Sequence, residues 1–177
     1  MYYVSFYNIY KESSSIQIMN DIKIIHLIHS DGPGGVETGA KLAQQEFKNN
    51  INYEIRFIYN AGDNIIVKFI KFLKATKLLF KELKGKENHI ILSSLWMSHI
   101  ISFILKILLK NMTWISFIHN SNYTNIISYL ICTKLTRLAD KQVFDSYSTA
   151  KAYNSKSINR NRIINYFFQK YDLKKFD

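Results

Sequence analysis

Cysteine, proline and glycine are scarce in this chain of 177 residues, at one, one and six. The lone Cys132 excludes an intramolecular disulfide and fits a reducing compartment, and a single thiol in an apolar helix is ordinarily core packing. The N-terminal stretch MYYVSFYNIYKESSS has neither a basic segment nor a continuous apolar one, so no secretory signal is expected and the expected location is cytoplasmic. Long apolar runs are missing too: HIISFILKILL is broken by Lys106 well short of the roughly 20 residues that cross a bilayer. Arginine is rare, with only four among the 24 basic residues. Surfaces that read bases or fork phosphates favour arginine, and the aromatic residues here lie in apolar runs rather than between arginines. No nucleic-acid partner is expected.

What the chain does have is lysine, and a formal charge of +11 that implies an anionic partner of some kind. With 47% apolar and 21% charged residues it has the composition of a folded domain, and its length suits one core rather than two. Short apolar runs alternate with helical patterns. The runs predict strands over Lys23–Ile28, Tyr53–Ile58, His89–Leu92, Thr113–Ile118 and Gln142–Phe144, with a weaker one at Arg162–Ile164. Apolar spacings of three and four predict helices over Val36–Phe47, Ile65–Leu83, His99–Leu109, Ile126–Leu138 and Thr149–Lys156. Strict β-α alternation argues for an α/β fold, an open parallel sheet with helices on both faces. Residues 1–18 fit the pattern poorly, and Met19 stands just before the first strand; a disordered extension or a mis-assigned start is expected there.

Four of the six glycines and the only proline fall in HSDGPGGVETGAKLA, which follows the first apolar strand and opens the first helix. Ligands of open α/β sheets bind at such a place, where glycine lets a phosphate or sugar approach the backbone and the helix presents its first N–H groups. Two familiar phosphate loops are not matched. Gly34 and Gly39 have P-loop spacing, yet Ala40 stands where the lysine must be; a GxGxxG reading from Gly32 and Gly34 meets Glu37 in place of the last glycine. A plain tight turn, with Glu37 in the first helical turn favouring the helix dipole, explains the same residues without a ligand.

HLIHSDGPGGVETGAKLA resembles the opening of the family 4 glycosyltransferases, in which a first strand runs into a Gly-Gly-x-Glu loop and an amphipathic helix. HIILSSLWMSHIISFILKIL, WISFIHNSNY, LTRLADKQVFDSYSTAKAY and INRNRIINYFF resemble later elements of that family in the same order, so the likeness covers about residues 22–170. It implies the Rossmann-like, acceptor-side half of a GT-B fold over residues 19–170, with 171–177 entering an interdomain linker. The implied activity is transfer of a sugar, with retention, from a nucleotide sugar to a polysaccharide or lipid-linked acceptor in bacterial surface polysaccharide assembly, with no metal or other cofactor. The resemblance makes Gly34 and Gly35 donors of backbone N–H groups to the donor phosphates, and Glu37 part of the same loop site. His119, ending the fourth strand, would lie near the reacting sugar, and Ser146 would line the cleft.

The chain stops at Asp177, where the family begins its donor domain with an acidic pair that holds the sugar and ribose. The chain alone is therefore expected to bind its donor poorly. A truncated or frameshifted gene, a subunit with a separate partner, or a non-catalytic sugar-binding or membrane-surface module would each account for it. Among the other histidines, His26 alternates with apolar neighbours inside a strand and reads as a satisfied core residue; His29 lies nearer the strand's end, while His89 and His99 begin a strand and a helix. No Cys/His or Glu-x-x-His spacing suggests a metal site.

In NIIVKFIKFLKATKLLFKELKGK the residues Lys68, Lys71, Lys74, Lys77, Lys81 and Lys84 recur at steps of three and four, covering about half the helix circumference. Phe69, Ile70, Leu73 and Phe80 fall largely opposite. This layout suits a helix lying on an anionic membrane interface, and the first five lysines are the membrane-facing candidates, giving a peripheral location on the inner face of the membrane. A packed helix with a solvated basic face is the plainer reading of the same pattern.

Overall fold

The computed structural model describes residues 22–47, 51–119 and 125–153. Its elements are β1 (Lys23–Ser30), α1 (Gly35–Phe47), β2 (Asn52–Tyr59), α2 (Ile65–Leu83), β3 (His89–Ser94), α3 (Trp96–Leu108), β4 (Thr113–Ile118), α4 (Ile126–Thr133), a 3-10 turn (Leu135–Leu138), β5 (Lys141–Phe144) and α5 (Tyr147–Ala152). All five strands pair in parallel, in the order β2-β1-β3-β4-β5. The α/β, Rossmann-like sheet expected from the alternation is what forms.

Side chains of a strand alternate between faces, so the apolar run of β1 feeds two cores at once. Ile25 and Leu27 join Ile91 and Trp114 on one face, under Leu79 and Leu83 of α2 and Ile101 and Leu105 of α3. Ile24 joins Ile90, Leu92, Ile115, Phe117 and Val143 on the other, where Phe47 of α1 meets Tyr53 edge-on. Each such side chain taken fully out of water stabilises the fold by about 1.5–3 kcal/mol. A charged cluster closes the amino end of the sheet: Lys23 Nζ reaches Glu54 Oε2 at 2.7 Å, and Arg56 Nη2 donates to Glu82 Oε1 at 2.9 Å. The Arg56 guanidinium is the main reason that the Glu82 carboxyl is held down to about 2.

Elements differ from the sequence expectation mainly at polar ends. β1 runs on to Ser30 and β3 to Ser94, past the apolar runs that defined them. The buried Ser93 is satisfied in place: it accepts from Trp114 Nε1 at 2.7 Å and shares a hydrogen bond with His99 Nδ1 at 2.8 Å. α3 begins at Trp96, three residues before the expected His99, because Ser98, Ile101, Ser102 and Leu105 already form its buried stripe. The single helix expected over Ile126–Leu138 is two pieces. Thr133 Oγ1 donates back to Tyr129 O at 2.7 Å and Thr136 Oγ1 to Cys132 O, and the chain tightens into the 3-10 turn. α5 starts at Tyr147 rather than Thr149; the rest of that expected helix, the strand at Arg162–Ile164 and the 1–18 extension lie outside the described residues. Cys132 is buried among Ile118, Phe144 and Tyr153, and burial pushes its thiol up to about 11. Among the described residues no helix is long and apolar enough to cross a membrane.

Candidate functional site

In the order 2-1-3-4-5 the winding of the sheet reverses between β1 and β3, and the carboxyl ends of strands at such a point are where open α/β sheets bind ligands. The glycine loop leaves β1 at that point. Its backbone is tightly held: Gly34 N–H donates to Gly32 O at 3.0 Å, Thr38 N–H to Gly34 O at 3.0 Å, and Ala61 N–H to Asp31 Oδ1 at 2.9 Å. The Glu37 carboxylate packs against Gly34, so that a Cβ there would lie 2.1 Å from Glu37 Oε2 and would make that side chain turn aside. Glu37 folds back over the loop and is only 6% exposed, with its carboxylate at the N-terminus of α1 where the dipole favours it. A Cβ on Gly35 would meet nothing within 4 Å. Of the three loop residues singled out, Gly34 and Glu37 are thus in contact and Gly35 borders open space. A phosphate approaching Gly34 meets the Glu37 carboxylate first.

His119 lies just past β4, with its ring 4.0 Å from that of Phe117. Its Nε2 is 3.0 Å from Ser94 Oγ at the end of β3, and the same hydroxyl is 2.7 Å from His26 Nε2 in β1. His26 Nδ1 meets Tyr53 Oη from β2. Four side chains, from β2, β1, β3 and the residue just after β4, therefore form one hydrogen-bonded line across the sheet, on the face that also carries Ile24, Leu92 and Phe117. Register explains it. Ile24 pairs with Tyr53, Ile28 with Ser94, and Ser94 with Phe117, so residues two apart from these share the face. Burial holds His119 down to about 3; burial, with His119 nearby, does the same for His26. Both rings are neutral at pH 7.

Ser94 is followed by a strained residue. Leu95 has φ 72° and ψ 159°, a region that suits glycine, and costs of order 1–3 kcal/mol for other residues. Ser98 Oγ steadies the turn by donating to Leu95 O at 2.8 Å and to Ser94 O. Ser146, the other strand-end candidate, caps α5: its hydroxyl accepts from Thr149 N–H at 3.2 Å and pairs with Thr149 Oγ1 at 2.8 Å. It is not among the side chains in contact with His119 or the glycine loop. His29 stacks on Tyr59 with ring centroids 5.6 Å apart, and Lys68 Nζ lies 5.2 Å from the far ring of that stack.

The lysines of α2 divide. Lys68 belongs to the Tyr59 stack and Lys71 Nζ is 2.6 Å from Asp63 Oδ2, whereas Lys74, Lys77 and Lys81 are exposed. The apolar residues expected opposite them do not all pack inward. Phe72, Ala75, Leu79 and Leu83 face the core, but Phe69, Ile70 and Leu73 are 60%, 57% and 52% exposed, beside the free lysines. Sequence reasoning also missed Tyr53, Ser94 and Leu95; a polar side chain on the inward parity of a buried strand was the available signal for the first two.

The domain is of the Rossmann-like α/β class, with its candidate site at the carboxyl edge where the winding reverses. Neither a family model nor a curated protein sequence matches the chain. Among solved structures it is similar to the lipopolysaccharide outer core galactosyltransferase WaaB in its apo form, with a TM-score of 0.56 and 16% identity over 80% of this chain. The match spans 44% of that galactosyltransferase, so the chain corresponds to less than half of it. A weaker likeness joins it to the N-terminal domain of Candida albicans trehalose-6-phosphate phosphatase, with a TM-score of 0.43 and 11% identity over 74% of this chain and 42% of that one. The first likeness is one of fold, to a GT-B glycosyltransferase.

Proposed function

We propose that this chain is the acceptor-side half of a retaining glycosyltransferase, which moves a sugar from a nucleotide sugar to a polysaccharide or lipid-linked acceptor in surface polysaccharide assembly. The observation that supports it is the convergence, at one sheet edge, of the Gly34-Gly35 loop and His119, within a fold like that of a galactosyltransferase over most of the chain. A leaving diphosphate needs hydrogen-bond donors, and loop N–H groups supply them without side-chain ordering once Gly34 N–H leaves Gly32 O. His119, neutral at working pH, serves the sugar or acceptor as a hydrogen-bonding group and not as a charged acid. The donor's ribose and sugar fall to the second half of such an enzyme, so donor affinity of this half is low. Glu37 must turn away from Gly34 when a phosphate enters.

The test is a titration of the 15N-labelled chain with nucleotide sugars, sugar phosphates and glycan acceptors, followed by amide shifts. Shifts are expected at Gly34, Gly35 and the β3 and β4 ends, reduced several-fold in His119→Ala. Uniform indifference to every phosphate and glycan overturns the reading. A second reading, a non-catalytic module at a membrane surface, is favoured by one observation: Phe69, Ile70 and Leu73 stand exposed beside Lys74, Lys77 and Lys81 on α2.

A further inference from the structure

Glu37 is the one acid among the buried described residues, at 6% exposed. Acids nearer the surface have partners: Glu82 takes Arg56, Asp63 takes Lys71 and Asp140 takes Lys106. Among the described residues no cation and no hydrogen-bond donor reaches the Glu37 carboxylate, in a chain with a formal charge of +11. A buried charge without donors is costly. The helix dipole offsets part of that cost, and a glutamate at the third position of a helix can accept from the N–H of the capping residue. Here the capping residue is Gly34, and its N–H is given to Gly32 O at 3.0 Å. The local donor is spent elsewhere. Both carboxylate oxygens turn to the Gly34 side of the loop, within 3.4 Å of where a Cβ on that residue would stand. Beside it a Cβ on Gly35 would meet nothing within 4 Å, and the N–H of this first residue of α1 has no carbonyl earlier in the helix to take it.

We propose that Glu37 sets the specificity of the glycine loop: its carboxylate accepts hydrogen bonds from a pair of neighbouring hydroxyls on an uncharged sugar, and it leaves an anionic group only the Gly35 end. Two carboxylate oxygens match two hydroxyl donors, and hydrogen bonds to an ionised acceptor are the stronger kind. A fully ionised diphosphate offers no proton and is repelled. At Gly34 it needs the carboxylate to turn and the Gly34 N–H to leave Gly32 O; a sugar hydroxyl needs neither. The inference deepens the proposed function and rests on its reading of the loop as a ligand site. It divides that site, with sugar hydroxyls at Glu37 and phosphate at the first N–H groups of α1.

The experiment titrates the full chain and its Glu37→Gln variant with methyl glycosides of neutral hexoses and, separately, with inorganic phosphate, read as amide shifts of Gly34 and Gly35. Wild type is expected to bind a glycoside more tightly than phosphate. Glutamine keeps the size and loses the charge, so glycoside affinity should fall about five-fold and phosphate affinity rise about five-fold. A glutamate that only closes the helix end would move both the same way or neither. If the variant fails to fold, wild type decides alone: glycosides lacking one hydroxyl of the bound pair should bind about five-fold more weakly than the parent. Affinities that fall together, rise together or stay unchanged in Glu37→Gln overturn the inference, as does a wild type that prefers phosphate or ignores every glycoside and deoxy position. The outcome is separable from that of the transferase reading. Glycosides and phosphate that bind both proteins alike leave the transferase standing without this inference; Glu37-dependent glycoside binding that His119→Ala leaves untouched does the reverse.

Discussion

Among the described residues Leu95 is the one whose backbone departs furthest from what its side chain prefers, and it stands between Ser94 and the start of α3. Leucine at φ 72° and ψ 159° is tolerated because Ser98 holds the two preceding carbonyls and Trp96 starts the helix at once. A comparison of two small replacements isolates the strain. Leu95→Ala keeps the Cβ that makes this conformation costly, and Leu95→Gly removes it, so the glycine variant is expected to be more stable than the alanine variant by about 1 kcal/mol. The reverse order is the norm at an ordinary position. Urea denaturation of the two proteins measures the difference, and an alanine variant equal to or above glycine would show the turn to be unstrained. The sequence held no sign of it, since nothing in SSLWMS marks a residue for positive φ.

At the scale of elements, α2 shows where a periodicity argument succeeds and where it stops. The spacing located the helix at both ends, and Asn64 caps it by accepting from Val67 N–H at 2.9 Å. The pattern could not say which apolar residues the sheet would cover. A 19-residue helix with apolar residues around much of its girth buries the stripe that meets the sheet, Phe72, Ala75, Leu79 and Leu83, and leaves Phe69, Ile70 and Leu73 outside. The exposed stripe with Lys74, Lys77 and Lys81 predicts binding to vesicles rich in anionic phospholipid, weakened by salt. Each lysine near such a surface is worth roughly 1 kcal/mol, so neutralising all three to glutamine should lower the partition coefficient on the order of 100-fold. Sedimentation with phosphatidylglycerol and phosphatidylcholine vesicles checks it; equal partitioning into both would count against an electrostatic membrane surface.

For the molecule as a whole, the buried histidines set the response to acid. Burial holds His26, His99 and His119 near 3 in the folded state, against about 6.5 in an unfolded chain. The unfolded chain binds more protons between those values, so stability is complete above about pH 6.5 and falls as pH drops through the window to about 3. Each histidine contributes a slope of about 1.4 kcal/mol per pH unit within it. Three together can exhaust a typical domain stability of about 5–15 kcal/mol within a few pH units. Denaturation free energies at stepped pH from 7.5 to 4.5 are expected to decline steeply; a flat profile would mean that these rings accept protons without leaving the fold.

The sheet itself was legible in the residues. Apolar runs bounded by polar turns located all five strands, and their alternation with helices required parallel pairing. The glycine loop was legible as a loop after β1, though not the packing of the Glu37 carboxylate against Gly34. The line through Tyr53, His26, Ser94 and His119 was not legible, because it depends on register between strands far apart in sequence: a shift of one residue in β3 would turn Ser94 to the opposite face.

Cys132 gives the chain a built-in clock. The only thiol in the sequence is packed under Tyr153 and Phe144 at the β5 edge, and a thiol raised to about 11 is ionised to only about a thousandth at pH 8. Alkylating reagents attack the thiolate, so the folded chain is nearly inert to them while its opened forms react at the rate of an ordinary cysteine. The rate of modification therefore counts how often the β5 edge opens, with no label introduced and no second site to confuse the count.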